Sequence, residues 1–217
     1  MSIKKQITSI KKQIGEKVCL VAVSKTKSEL EINEAYEIGH RVYGENKVQE
    51  LVLKHNNLPK DINWHMIGHL QRNKVKYIAP FIKLIHGVDN LKLIKEINKQ
   101  AEKNNRIIDC LIQIKISKED SKFGMNYKEA KELLSSEILF NFKNIKIVGL
   151  MGMASNTNDE LSLTKEFSEL NIFFNNIKEI NKNIKILSTG MSGDYLLAIK
   201  NGSNMIRVGS NIFGSRK

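Results

Sequence analysis

Residues 21–27 read VAVSKTK, an apolar run that ends on two lysines one residue apart. If the chain stays extended, Val23, Lys25 and Lys27 share one side of it. Burial penalises an ammonium group, so a lysine set against an apolar wall gives up its proton more readily than in water. The neutral amine is then a nucleophile that condenses with a carbonyl to a Schiff base. Lys25 lies nearest the run and is the stronger candidate. Lys27 lies further out. Either residue alone reads equally well as a solvated loop lysine, because the chain carries 35 Lys and Arg.

Two segments near the C-terminus suit a phosphate. In STGMSGD (188–194), Gly190 ends an apolar run, and Ser192, Gly193 and Asp194 open a helical stretch. Ser192 or a neighbour can cap that helix and leave N–H groups at its start. In RVGSNIFG (207–214), Gly209 lets a ligand approach the backbone and Ser210 adds a hydroxyl. Each segment alone is an ordinary turn. Both together, at the ends of the last two strands, point to a phosphate held by loops and helix N-termini. A phosphate anchor plus a Schiff-base lysine suits a phosphorylated aldehyde, of which pyridoxal 5′-phosphate (PLP) is the obvious one. Arg207 precedes Gly209 by two residues and should share its face. Arginine cannot accept a proton. Against a pyridine nitrogen it would leave that nitrogen unprotonated and the ring a weak electron sink. The plainer reading of Arg207 is a salt bridge at the rim.

These residues need a scaffold that gathers strand ends. Strands are expected at 18–24, 41–44, 63–68, 83–87, 107–116, 145–151, 184–190 and 205–209. Helices are expected near 28–39, 46–56, 71–79, 90–104, 127–140, 160–181 and 193–201. Isoleucines at 3, 7, 10 and 14 add an amphipathic helix over 1–15. Strict alternation implies a parallel sheet under helices. Eight units imply closure into a single (β/α)8 barrel, with 217 residues at the compact end of that fold. An open doubly wound sheet is the alternative, but it would want a Gly-rich first turn, and here the turn reads SKTKSE. One domain over 1–217 is expected, since no Pro- or Gly/Ser-rich linker divides the chain.

The segments AVSKTK, YGENKVQE, WHMIGHLQRNK, QIKISKEDSKFGM, GLMGMAS and STGMSGDYLLAIKNGSNMIRVGSNIFG occur in order from about 18 to 215. Together they resemble the YggS/PROSC family of PLP homeostasis proteins. The resemblance implies an alanine-racemase-like barrel with PLP on Lys25. It implies phosphate contacts from Met191, Ser192, Gly209 and Ser210, Arg207 at the pyridine nitrogen, and Asn46 near the ring. Departures are small: tyrosine before the glycine of YGEN, Gly193 where an acidic residue is common, and Ser210 where threonine is common.

The function implied is storage, delivery or regulation of PLP in the cytoplasm, with PLP-dependent apo-enzymes as partners and no turnover. An amino-acid racemase of this fold is the alternative. It would need an added β-domain with a second base, and the chain is expected to stop after the eighth strand. A Schiff-base aldolase or phosphate-binding isomerase is a third. A monomer is the default. The charge of +12 suggests nucleic acid, but the lysines are scattered and fit a composition bias better. No apolar stretch approaches the ~18 residues of a membrane span. Cys19 and Cys110 sit in apolar runs and read as buried reduced thiols. His65 and His69 have metal-like spacing only on a helix, and WHMIGHL reads as strand then loop, so no metal site is expected. Ser121, Lys122 and Gly124 in the 117–125 loop border the pocket or lie in solvent.

Overall fold

The computed structural model describes residues 2–117, 119 and 123–214. Eight parallel strands close a barrel in chain order. They are β1 (Cys19–Val23), β2 (Val42–Glu45), β3 (Asn63–Met66), β4 (Leu84–Val88), β5 (Ile108–Ile114), β6 (Ile145–Gly152), β7 (Ile186–Ser188) and β8 (Met205–Val208). β1 pairs with both β2 and β8, which seals the sheet.

Alternation along each strand divides the apolar side chains into two layers. Val21, Val23, Ile67, Leu84, Leu111, Val148, Met151 and Met205 cluster inside the barrel. Leu20, Ala22, Tyr43, Ile85 and Ile112 face outward into the larger layer under the helices. Strands buried on both faces read as largely apolar runs, as in CLVAV of β1, while Glu45, His65 and Arg207 interrupt β2, β3 and β8.

The helices are α1 (Ile3–Ile14), α2 (Glu29–Glu37), α3 (Val48–Asn57), α4 (Val75–Ile78), α5 (Leu91–Lys103), α6 (Tyr127–Leu134), α7 (Glu160–Ile180), α8 (Tyr195–Lys200) and α9 (Ser210–Phe213). In α1 the four isoleucines form the buried stripe, and the helix packs on α2 and α9. Capping boxes start α2 at Ser28 and α6 at Asn126.

Three helical expectations change. The 71–79 stretch is a 3-10 turn at Arg72–Lys74 followed by the single turn of α4. Ala79 keeps α backbone, but Pro80 has no N–H to donate back to Lys76, so the helical ladder stops there. The 127–140 stretch stops at Leu134, and Ser136 caps a separate 3-10 segment, Glu137–Asn141. The last strand is followed by a short helix, α9, which was not expected.

β7 is three residues long and pairs with β8 at Ser188 and Met205. The loops beyond extend this seam by Thr189 N–H to Met205 O (3.1 Å) and Arg207 N–H to Gly190 O (3.0 Å). Ser121 and Lys122 lie outside the described residues.

Candidate functional site

A cavity of about 500 Å³ opens at the C-terminal ends of the strands, and Lys25, Asn46, Met191, Ser192, Arg207, Gly209 and Ser210 all line it. Arg207 of β8 and residues just beyond the ends of β1, β2, β7 and β8 thus meet in one place although up to 185 positions separate them. Met153 and Asn156, after β6, also line it. They lie in and just beyond GLMGMAS, a segment quoted above without any residue being chosen from it.

Lys25 reaches the cavity by a turn and not by continued strand. β1 ends at Val23, and Thr26 takes a left-handed backbone with φ 64°. The extended-chain expectation for Lys25 and Lys27 therefore fails beyond Val23, yet both still line the cavity. Lys27 Nζ donates to Phe213 O at 2.9 Å and stands 3.5 Å from Glu31. It fastens the β1–α2 loop to α9.

Ser192 joins the two C-terminal loops. Its hydroxyl oxygen accepts the Gly209 N–H at 3.2 Å, and its carbonyl accepts from Asn211 Nδ2 at 2.8 Å. It does not cap α8, whose N-cap position is Asp194. The Asp194 carboxylate takes the Met191 N–H. A Cβ at Gly209 would lie 3.3 Å from both Val23 Cβ and Val23 O, so a side chain there would need the end of β1 to give by a few tenths of an ångström.

Arg207 is buried at the cavity floor. Its guanidinium donates to Ser188 O (2.9 Å), Ser188 Oγ (2.6 Å) and Gly152 O (2.9 Å). These neutral oxygens replace the rim salt bridge considered above. Burial draws its pKa down to about 10, partly countered by Asp194, and the group stays charged at neutral pH.

Beneath it runs a polar chain that the sequence did not reveal. Ser188 Oγ lies 3.1 Å from His86 Nδ1, and His86 Nε2 lies 3.0 Å from His65 Nδ1. Arg207 only donates, so the single Ser188 proton points to His86 Nδ1. His86 then carries its proton on Nε2 and gives it to His65. Burial holds His65 at about 3 and His86 well below the usual imidazole value, so both rings are neutral. The one available signal was a histidine inside the apolar run LIHGV.

His69 faces away from this chain. It is 38% exposed, stacks on Phe123 with ring centroids 4.0 Å apart, and lies 3.4 Å from Asp89. His65 and His69 therefore do not converge on a common point. Cys19 is only partly buried, on β1, whereas Cys110 is fully buried on β5.

A second buried cluster backs the first turn. Lys54 Nζ donates to Ser24 O (2.7 Å), Glu45 Oε1 (2.8 Å) and Glu50 Oε1 (2.6 Å). Ser24 Oγ donates to Glu45 Oε1 (2.6 Å), and Thr26 N–H to Glu50 Oε1 (2.6 Å). Burial pushes the Glu45 carboxyl up, and Lys54 and Ser24 pull it back.

The whole chain, residues 1–217, matches the family model described as alanine racemase, N-terminal domain. A pyridoxal phosphate homeostasis protein from Aquifex aeolicus is 38% identical over 200 residues, covering 91% of this chain and 87% of its own. One from Helicobacter pylori is 39% identical over 198 residues, covering 90% and 87%. PipY of Synechococcus elongatus, solved without PLP, superposes with a TM-score of 0.92 at 31% identity, covering 98% of this chain and all of that one. The same protein solved with PLP bound gives 0.88 at 30% identity. By motif order, barrel and these identities, the chain belongs to the pyridoxal phosphate homeostasis protein family, within the alanine racemase N-terminal domain group.

Proposed function

We propose that this chain holds PLP as a Schiff base on Lys25 and serves intracellular PLP homeostasis, storing, delivering or regulating the cofactor without turnover of its own. The observation that carries this is the convergence of an amine, a buried guanidinium and a serine-rich pair of loops on one cavity. The donor set fits the cofactor group by group. When bound, PLP supplies an electrophilic carbon that an amine can hold covalently. Lys25 offers that amine. Ser192 already accepts a bond from Gly209 N–H, so its own O–H proton is the one to offer a phosphate, with Ser210 beside it. Asn46 and Arg207 line the same cavity, where Asn46 would lie near the ring and Arg207 would face the pyridine nitrogen.

The absence of turnover follows from Arg207. A guanidinium that stays charged would give a pyridine nitrogen no proton, so charge would be poorly drawn into the ring. The mouth is open at Met191, Gly193 and Ser210, which are exposed, and that suits exchange with PLP-dependent apo-enzymes.

Borohydride reduction of the PLP-loaded protein, followed by peptide mapping, should place the adduct on Lys25. Lys25→Ala should lose the visible absorbance band and still fold. An adduct on Lys27 would overturn the assignment. PLP transfer to an apo-enzyme, with a panel of amino acids assayed in parallel, tests the rest. Sustained α-proton exchange in deuterated water, abolished by Lys25→Ala, would establish the racemase alternative instead.

A further inference from the structure

Lys25 lies between two residues that the Glu45–Lys54–Glu50 cluster fastens. On one side, Ser24 is held through its carbonyl by Lys54 and through its hydroxyl by Glu45. On the other, the Thr26 N–H is held by Glu50. Lys54 spends all three of its protons on Ser24, Glu45 and Glu50. Glu45 is fully buried and Lys54 nearly so, and among the described residues Glu45 Oε2 has no hydrogen-bond partner.

This is a costly way to fill space. Two charges taken from water must be repaid by good geometry, and apolar residues of similar shape often serve stability as well or better. What apolar residues cannot do is bind backbone. Here the cluster grips the main chain on both flanks of one residue and holds Thr26 at φ 64°, a region that non-glycine residues avoid. The effect is to fix where the Lys25 side chain leaves the backbone. A pre-oriented nucleophile forfeits less freedom when it meets its carbonyl.

We propose that Glu45, Lys54 and Glu50 are positioning residues that set the Lys25 turn for covalent capture of an aldehyde. This rests on the reading that Lys25 holds PLP. In the step they assist, the neutral Lys25 amine attacks the aldehyde carbon. A C=N bond replaces the C=O bond, and the carbonyl oxygen departs as water with the two amine protons.

The test compares Glu50→Ala, Glu50→Gln and the double variant Glu45→Gln/Lys54→Met in the full chain. Glu50 sits partly exposed in the first turn of α3, so its replacement leaves the fold intact. The double variant removes both buried charges together and strands neither. Two ligands are used: PLP, and pyridoxine 5′-phosphate, which has the ring and phosphate but no aldehyde. Glu50→Ala and the double variant should slow adduct formation on Lys25 about tenfold and lower the reducible share of bound PLP. Their affinity for pyridoxine 5′-phosphate should stay within twofold of wild type. Glu50→Gln keeps an oxygen for Thr26 N–H and should recover most of the rate. Equal losses for both ligands would mean general damage to the cavity, and unchanged rates would mean no positioning role. Either result overturns the proposal. If the wild-type adduct maps away from Lys25, the underlying reading fails first, and the wild-type protein alone reveals it.

Discussion

At the scale of single residues, the site combines groups the chain announces with groups it conceals. Lys25, Arg207, Ser192, Gly209 and Ser210 stand out because each interrupts or follows an apolar run at a strand end. Ser188 also ends such a run, but nothing in the sequence says what its hydroxyl meets. Yet its hydroxyl is shared by Arg207 and His86. Ser188→Ala leaves a buried guanidinium and a buried imidazole each short of a partner. It should destabilise the fold by about 1–3 kcal/mol, read from urea denaturation. Ser192→Ala and Ser210→Ala should each weaken PLP binding by about 1–3 kcal/mol, with the larger loss at Ser192, because that hydroxyl also holds Gly209. Equal affinity in the double variant would place the phosphate elsewhere. His86 with Ser188, and Glu45 with Ser24, escaped the sequence for one reason: the partners are 102 and 21 positions apart, and only barrel closure joins them.

At the scale of elements, all eight strands were legible from their apolar runs, although the one expected over 184–190 is only Ile186–Ser188 and the one over 63–68 ends at Met66. Helix ends were less so. Apolar periodicity continues past Leu134 while Ser135 and Ser136 divert the backbone into a capped 3-10 segment, from which Leu139 packs on the core and Phe140 is exposed. One glycine shows how tightly the strands are set. A Cβ at Gly149 would lie 1.9 Å from the Ile186 carbonyl, so β6 and β7 would have to part. Gly149→Ala should cost about 3 kcal/mol or more, the upper end for overpacking. Gly193→Ala is the control, with nothing within 4 Å of its Cβ, and its urea midpoint should match wild type. A tolerated Gly149→Ala would mean the β6–β7 register differs from the one described.

At the scale of the whole molecule, three buried neutral histidines tie stability to pH. Burial holds His40 at about 4 and His65 at about 3, with His86 also well below the usual value. Unfolded, each would titrate near the ordinary value of about 6.5. Below that pH the unfolded chain binds protons that the folded one refuses, so stability is complete above it and falls as pH drops toward 4 and 3. Each histidine should contribute about 1.4 kcal/mol per pH unit across its window. Glu45, whose carboxyl burial pushes up, works in the opposite sense. Urea midpoints at pH 7, 5.5 and 4.5 should decline steadily, and His40→Asn should flatten the slope between 6.5 and 5. An unchanged slope would show that His40 is not held neutral. The short pairing of β7 with β8 has a consequence of another kind. The two loops proposed to hold the phosphate both spring from this seam, so a ligand seated on both would be a rivet across the place where the sheet has least to hold it. Breathing there must first release the ligand, and at a hundred times its dissociation constant that raises the opening free energy by about 2.7 kcal/mol. Deuterium uptake by the amides of 186–190 and 203–209 should then slow about 100-fold on loading, while β5 and β6 change little. Exchange at the seam would therefore gauge how much of a protein sample carries its cofactor, with no need for colour.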